Sequence, residues 1–259
     1  MELSAKRLKT YLECPRKFQF AYIDQIPSPL PASLAFGKAI HAVIEQFHID
    51  GLDENSSIKM FRQIWRRVIE EERPIFSDRR WTPERYERLA EKILLGYINR
   101  HRFKPSPLLV EFEFVIPFGE HSFHGVIDRI DEGEGGLVVV DLKSEKSKPS
   151  KAELDTDLQF TVYTFAVNKL FGLPVEKCVY YHLRTNEELV THRDLDRCQL
   201  VLSEVTKFVV QNLQSGFFPP NRGIQCRWCP FSFLCEQDPE WANQSPLGGN
   251  LLVPEIKRR

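Results

Sequence analysis

The 259-residue sequence lacks any run long and apolar enough to span a membrane. Its opening stretch holds Glu2, Lys6, Arg7, Lys9, Glu13, Arg16 and Lys17 with no apolar run between them, so no secretory signal is expected. Neither sign of charge is in excess, with 35 Lys+Arg against 36 Asp+Glu. That balance neither points to nor excludes a nucleic-acid partner, because a local basic channel can sit inside a neutral total. No G-x-x-x-x-G-K-[ST] loop occurs, so the sequence carries no ATP motor of its own. Internal repeats and low-complexity tracts are absent too. These absences lead to the expectation of a cytoplasmic protein with no membrane partner. Disulfides are rare in that compartment. The six cysteines therefore read as core fillers or metal ligands.

What is present reads as a globular protein, 42% hydrophobic and 27% charged. Helices are expected over 4–22, with Ser4 as N-cap and Pro15 restarting the chain, and over 34–48, 56–73 and 83–101, the last opened by Thr82-Pro83. Between 62 and 102 there are eleven Lys+Arg against seven Asp+Glu. This is either a solvated helix surface or a phosphate-tracking face. Residues 108–118, 122–131 and 137–143 are rich in β-branched and aromatic residues and are separated by glycine-bearing turns, which is a three-stranded meander. A helix over 153–171 stopping at Gly172, strands over 177–185 and 188–194, and a helix over 195–215 follow. The order describes an α/β sandwich on a mixed sheet. The expected organisation is a single domain over 1–259. Within it, 50–104 is a helical insertion, 216–240 a cysteine-rich segment and 241–259 a loose tail.

Asp128 and Asp141 lie at equal distances from the turn Gly133–Gly136. A hairpin symmetric about that turn sets them directly opposite each other. Opposed like charges destabilise a sheet, and buried carboxylates carry a desolvation cost. A divalent cation between them removes both problems, and hard oxygen ligands suit Mg²⁺ or Mn²⁺. Lys143, two residues beyond Asp141, shares its face. A metal that activates water beside a cation that stabilises developing negative charge is what phosphodiester hydrolysis needs. The bland alternative is an exposed Asp–Lys pair. Against it stands the apolar run Leu137–Val140, which reads as a strand buried on both faces.

Cys226, Cys229 and Cys235 lie within ten residues, and Cys14 joins them if residue 14 meets that segment in space. Four thiolates suit either zinc or an iron–sulfur cluster, and spacing does not separate the two. Trp228, Phe231 and Phe233 are candidate shields, while Cys178 and Cys198 read as core residues.

These residues resemble the PD-(D/E)XK nuclease superfamily in its RecB-like branch. GVIDRID (125–131) resembles the second motif of the branch and VVVDLK (138–143) the third. QFTVY (159–163) resembles its Q-x-x-x-Y motif, and GKAIH (37–41) its upstream glycine-to-histidine motif. Cys14-Pro15-Arg16-Lys17 with Cys226, Cys229 and Cys235 resembles the iron–sulfur clasp of AddB-type and CRISPR-adaptation nucleases. The resemblance implies a restriction-endonuclease-like core with a cysteine-clasped terminus. It implies His41, Asp128 and Asp141 as metal ligands, Lys143 as the catalytic lysine and Glu111 as an acidic residue near the site. Gln159 and Tyr163 would place the DNA strand or the metal-bound water, and the four cysteines would hold a 4Fe–4S cluster rather than zinc. By the residues alone, Tyr163 could be a core aromatic, His41 a satisfied core histidine, and Glu111 the solvent side of an edge strand. Ser144 and Glu145 depart from the Thr and Gly that often follow the lysine in relatives. The implied activity is a DNA exonuclease or end-processing enzyme of repair, recombination or CRISPR adaptation. It would act on single-stranded or duplex ends, alone or with a separate helicase or adaptation complex. The rival readings are an inactive DNA-binding or scaffold subunit of the same fold, and a zinc-clasped interaction protein.

Overall fold

The computed structural model describes residues 1–76 and 78–237, so the tail expected over 241–259 lies outside the described residues. In chain order the strands and α-helices are β1 (Glu2–Leu3), α1 (Ala5–Glu13), α2 (Pro15–Phe18), α3 (Ala32–Asp50), α4 (Glu54–Arg67), α5 (Pro83–His101), β2 (Leu109–Phe118), β3 (His121–Glu132), β4 (Leu137–Lys143), α6 (Lys151–Asp155), α7 (Leu158–Phe171), β5 (Val175–His182), β6 (Glu187–Thr191), α8 (Leu195–Gln214) and α9 (Ser232–Glu236). Among the described residues the chain falls into two compact units, one of Met1–Ser28, Val115–His124 and Asp194 onward, the other of Pro29–Phe114 and Gly125–Arg193.

The first unit starts as its sequence indicates. The Ser4 side chain accepts from Arg7 N–H at the head of α1. The helical stretch expected over 4–22, restarted at Pro15, is three pieces. Cys14 takes an extended conformation between α1 and α2, Pro15 restarts the chain, and a π-helical turn covers Gln19–Ile23. Tyr11 donates to the Phe217 carbonyl at 2.7 Å and packs edge-on against Phe208 of α8. β1 runs parallel to the first residues of β3, pairing Leu3 with Phe123.

The second unit holds the mixed sheet β3-β4-β5-β6. β3 and β4 are antiparallel, with Arg129 opposite Val140 and Glu132 opposite Leu137. One further step of that register reaches Asp128 and Asp141, as hairpin symmetry requires. β4 and β5 are parallel, and β5 and β6 form a hairpin. Six of the seven β4 residues are buried, as expected for a strand covered on both sides. Val138, Val140 and Leu142 join α3, α4 and α5 in one core with Phe36, Phe61, Trp65 and Tyr86. The alternate residues Leu137, Val139 and Asp141 face the other way, and α7 lies against β4 and β5. The helix expected over 153–171 is broken, because Asp157 leaves helical geometry and caps α7 by accepting from Gln159 and Phe160 N–H. That places Gln159 in the first turn of α7.

Tyr97 on α5 joins a polar chain in this core. Arg129 donates to its hydroxyl at 2.6 Å, and the hydroxyl meets His48 Nε2 at 2.8 Å. His101 Nδ1 donates to the Tyr97 carbonyl, while its buried Nε2 has no partner among the described residues. Burial drives the His101 pKa down to about 3, the Tyr97 carbonyl notwithstanding. A histidine whose folded pKa lies below its unfolded value gives stability that is present above about pH 6.5 and lost as pH falls. Unfolding free energy is therefore expected to drop between pH 7 and pH 5 by about 2 kcal/mol more in the wild type than in His101→Leu. Denaturant titrations at the two pH values measure this, and identical pH dependence in the two proteins would contradict it.

Candidate active site

Asp141 is 2% exposed near the end of β4. Lys143 Nζ reaches its Oδ2 at 2.7 Å, and Gln159 Nε2 donates to its Oδ1 at 2.9 Å. The same Gln159 nitrogen meets the Tyr163 hydroxyl at 2.7 Å, one helical turn on, and that hydroxyl donates to the Val126 carbonyl of β3. Burial pushes the Asp141 carboxyl up to about 7, with Lys143 opposing and Asp128 reinforcing. For Lys143, burial is outweighed by Asp141 and Asp128, which hold its ammonium well above the usual range.

A second group lies on β2, β3 and α3. His41, Glu111 and Asp128 offer one ligand atom each, all within 4.8 Å of one another, the one such group among the described residues. His41 Nε2 donates to the Leu142 carbonyl at 3.0 Å. That contact orients the ring and turns Nδ1 toward Glu111 Oε1 at 3.4 Å and Asp128 Oδ1 at 3.5 Å. Burial disfavours the imidazolium, but the two carboxylates prevail and raise the His41 pKa to about 10. Burial likewise works against the Asp128 carboxylate, yet His41, Lys143 and the Leu142 N–H hold its pKa below the ordinary value. Two oxygens and an imidazole nitrogen are a donor set that fits a divalent ion. Asp141 stands outside this group, with its carboxylate engaged by Lys143 and Gln159.

Glu111 enters through a break in strand geometry. Alternation along β2 would send it with Glu113 and Val115 to the exposed side. Its φ of 43° is left-handed, and the carboxylate meets His41 instead. No alternation rule signals such a residue. Two glycines permit close approaches. A Cβ on Gly125 would come within 2.8 Å of the Phe114 ring, and one on Gly37 within 3.2 Å of Ser144 Oγ.

A cavity of about 830 Å³ opens beside the site, lined by Lys38, His41, Trp81, Glu111, Lys143 and Arg184 among others. Sequence reasoning did not single out Trp81 or Arg184. The loop after Lys143 is pinned from β5 and its turn: Tyr180 donates to the Glu145 carboxylate, His182 to the Glu145 carbonyl and Arg184 to the Ser144 carbonyl.

In the first unit Cys14, Cys226, Cys229 and Cys235 line one small cavity. Asn221 N–H points at Cys14 Sγ from 3.4 Å, and Asn221 Nδ2 donates to the Glu13 carbonyl, so residues 13–14 meet the segment after α8. Burial raises the Cys235 thiol to about 11, helped by the neighbouring sulfurs. The expected aromatic shield is corrected. Trp228 is 72% exposed and Phe233 52%, and neither lines the thiols' cavity. Phe231, 3% exposed, does line the cavity as expected, and Phe20, edge-on to it at 5.7 Å, joins it. Cys178 and Cys198 are buried elsewhere.

A profile of the PD-(D/E)XK nuclease superfamily matches residues 2–236. A "putative exonuclease" from Eubacterium rectale shares the fold at 12% identity, over 98% of this chain and 94% of that one, with a TM-score of 0.53. The solved structure of SSO0001 aligns at 15% identity over 90% of this chain and 85% of its own, with a TM-score of 0.41. No curated protein matches the chain.

Excess Mn²⁺, at about 100 times its Kd, is expected to stabilise the protein by about 2.7 kcal/mol, a rise in Tm of roughly 5–10 °C. Asp128→Asn and Glu111→Ala should lose most of that rise. Wild-type-like shifts in both variants would remove the metal from this group.

Proposed function

The chain belongs to the PD-(D/E)XK nuclease superfamily, and from that premise we propose that it is a divalent-metal-dependent DNA nuclease of the end-processing, exonuclease kind. The observation that carries this reading is the junction of the His41–Glu111–Asp128 group with the Asp141–Lys143 pair at one strand end beside one cavity. His41, Glu111 and Asp128 would hold Mg²⁺ or Mn²⁺, with Asp141 on the neighbouring strand as the remaining ligand candidate. The bound cation would supply an activated water and neutralise phosphate charge. Lys143 Nζ, held by Asp141 at 2.7 Å and by Gln159 Oε1 at 3.4 Å, is the donor for a phosphate oxygen or the attacking water. Gln159 keeps Asp141 aimed, and Tyr163 ties Gln159 to β3 through the Val126 carbonyl. An intact Asp141–Lys143–Gln159 set disfavours an inactive scaffold. The name of the E. rectale protein supports an exonuclease. A helicase or adaptation complex is the kind of partner this reading implies in repair, recombination or CRISPR adaptation.

The thiol site reads as the seat of a 4Fe–4S cluster. All four thiols line one cavity. Four thiolates suit zinc as well, and the likeness of the cysteine pattern to the iron–sulfur clasp of AddB-type and CRISPR-adaptation nucleases favours the cluster.

Two experiments test these readings. Asp141→Asn and Lys143→Ala are expected to lower the Mn²⁺-dependent rate on a labelled oligonucleotide by about 10²–10³-fold or more, and Gln159→Ala by about tenfold, with chelation abolishing cleavage. Wild-type rates in either of the first two would sink the nuclease reading. Separately, anaerobically purified wild-type, Cys178→Ala and Cys198→Ala protein should carry iron and sulfide, and Cys14→Ala and Cys229→Ala should lose both and melt lower. Stoichiometric zinc in place of iron would refute the cluster.

A further inference from the structure

The turn between β5 and β6 carries a cation that the chemistry above leaves unused. Arg184 sits in this turn and lines the cavity shared with His41, Glu111 and Lys143. The turn is fixed from several directions. Leu183 N–H donates to the Lys143 carbonyl at 2.9 Å. His182 meets the Thr185 hydroxyl at 2.8 Å on one ring nitrogen and the Glu145 carbonyl at 2.9 Å on the other. Asn186, in a left-handed conformation with φ of 57°, donates to the Gly96 carbonyl of α5 at 3.0 Å. Groups held this way keep their geometry when a ligand arrives.

The Arg184 side chain is held as firmly as its backbone. Its Nε donates to the Ser144 carbonyl at 2.6 Å, and its guanidinium lies 5.2 Å from the centre of the Trp81 ring. Trp81 is braced by Tyr86 at 5.1 Å and by Arg85 at 4.7 Å. No hydrogen bond from the two terminal nitrogens of Arg184 is seen among the described residues. Burial strips this guanidinium of part of its hydration and lowers its pKa. The fork is thus oriented, partly desolvated and open at its tip, which is the condition under which arginine takes an oxyanion in bidentate fashion. Its place agrees with topology, since Lys143 and His182 are register partners at the C-terminal ends of parallel strands, where α/β sheets bind ligands. Lys38 and Lys146 line the same cavity.

We propose that Arg184 clamps a backbone phosphate of the DNA strand whose scissile bond lies at Lys143, and that Trp81 is the positioning residue that orients it. The proposal rests on the nuclease reading and extends it to how the strand is gripped. A phosphate clamp acts through charge and fork geometry, so it weakens every sequence alike when lost.

The test measures the affinity of a fluorescent single-stranded oligonucleotide in chelator over a range of salt, and KM and kcat in Mn²⁺. Arg184→Met is expected to raise Kd and KM about tenfold, to change kcat less, and to reduce the slope of log K against log salt by about 0.7, the value of one single-strand phosphate contact. Arg184→Lys should restore the slope but not the full affinity, because the point charge survives and the fork does not. Trp81→Leu should weaken binding several-fold, and the double variant with Arg184→Met should be no worse than Arg184→Met alone. An unchanged slope in Arg184→Met that still cleaves would overturn the clamp. So would an equal loss in Arg197→Met, an exposed arginine on α8, since that would mark a net-charge effect only. A wild-type protein that neither binds the oligonucleotide nor cleaves it removes the nuclease reading itself, and the clamp with it.

Discussion

The buried carboxylate of Asp141 is the constraint on which the site depends. β4 is covered on both faces, and a carboxylate there carries a desolvation penalty of several kcal/mol unless its surroundings answer it. The answer is local. Lys143 shares the face because it is two residues on, and Gln159 reaches the other oxygen because α7 begins at Asp157. Removing Lys143 leaves a charge with no solvent to take it. A buried ion pair is weak evidence for stability, since an apolar pair of similar size often serves a fold as well. Its presence at a strand end, beside three more metal-type ligands, is better explained by chemistry than by folding.

A second, smaller cost sits at Glu111. A left-handed non-glycine residue costs about 1–3 kcal/mol and persists where its surroundings determine it. Here it brings a carboxylate out of the strand's alternation and toward His41. The histidine is oriented by the Leu142 carbonyl, the residue between Asp141 and Lys143. The two halves of the site are thus joined through one peptide segment of β4. Leu142 donates its N–H to Asp128 and lends its carbonyl to His41 while its neighbours form the ion pair.

Much of this was legible in the sequence where one local rule decided the outcome. Turn symmetry gave the Asp128–Asp141 register, Thr82-Pro83 gave the start of α5, and Gly172 gave the end of α7. What escaped reading was decided by competition between rules. The apolar pattern of 153–171 is helical throughout, yet the Asp157 side chain caps a new helix rather than continuing the old one. The restart at Pro15 was readable, but the π-helical turn over Gln19–Ile23 was not. Trp228 and Phe233 are aromatic and close to cysteines in sequence, but sequence proximity says nothing of side-chain direction, and Phe20 covers the thiols from a distant segment. Glu111 was readable only by resemblance, because its contact depends on one abnormal dihedral. Arg184 has no local signature, since its environment comes from Trp81 and Ser144, far off in the chain.

The arginine-rich stretch of 62–102 shows why charge counts mislead where contacts do not. None of its eleven cations lines the cavity beside Lys143. Several face acidic neighbours at the surface: Arg62 meets Glu91, Arg80 meets Asp78, Arg100 meets Glu188 and Arg102 meets Glu54. Exposed pairs of this kind are worth about 0–1 kcal/mol each and describe a solvated face. The stretch serves the cavity through its aromatics instead. Tyr86 and Trp81 build a wall, and the wall holds an arginine delivered by a strand turn. A cation on a rigid turn loses less freedom on meeting a phosphate than one on a mobile surface side chain, so binding through it is less opposed by entropy. The surplus of charge lies on α4 and α5, while Lys143 and Arg184, which line the cavity, lie on a strand and a strand turn.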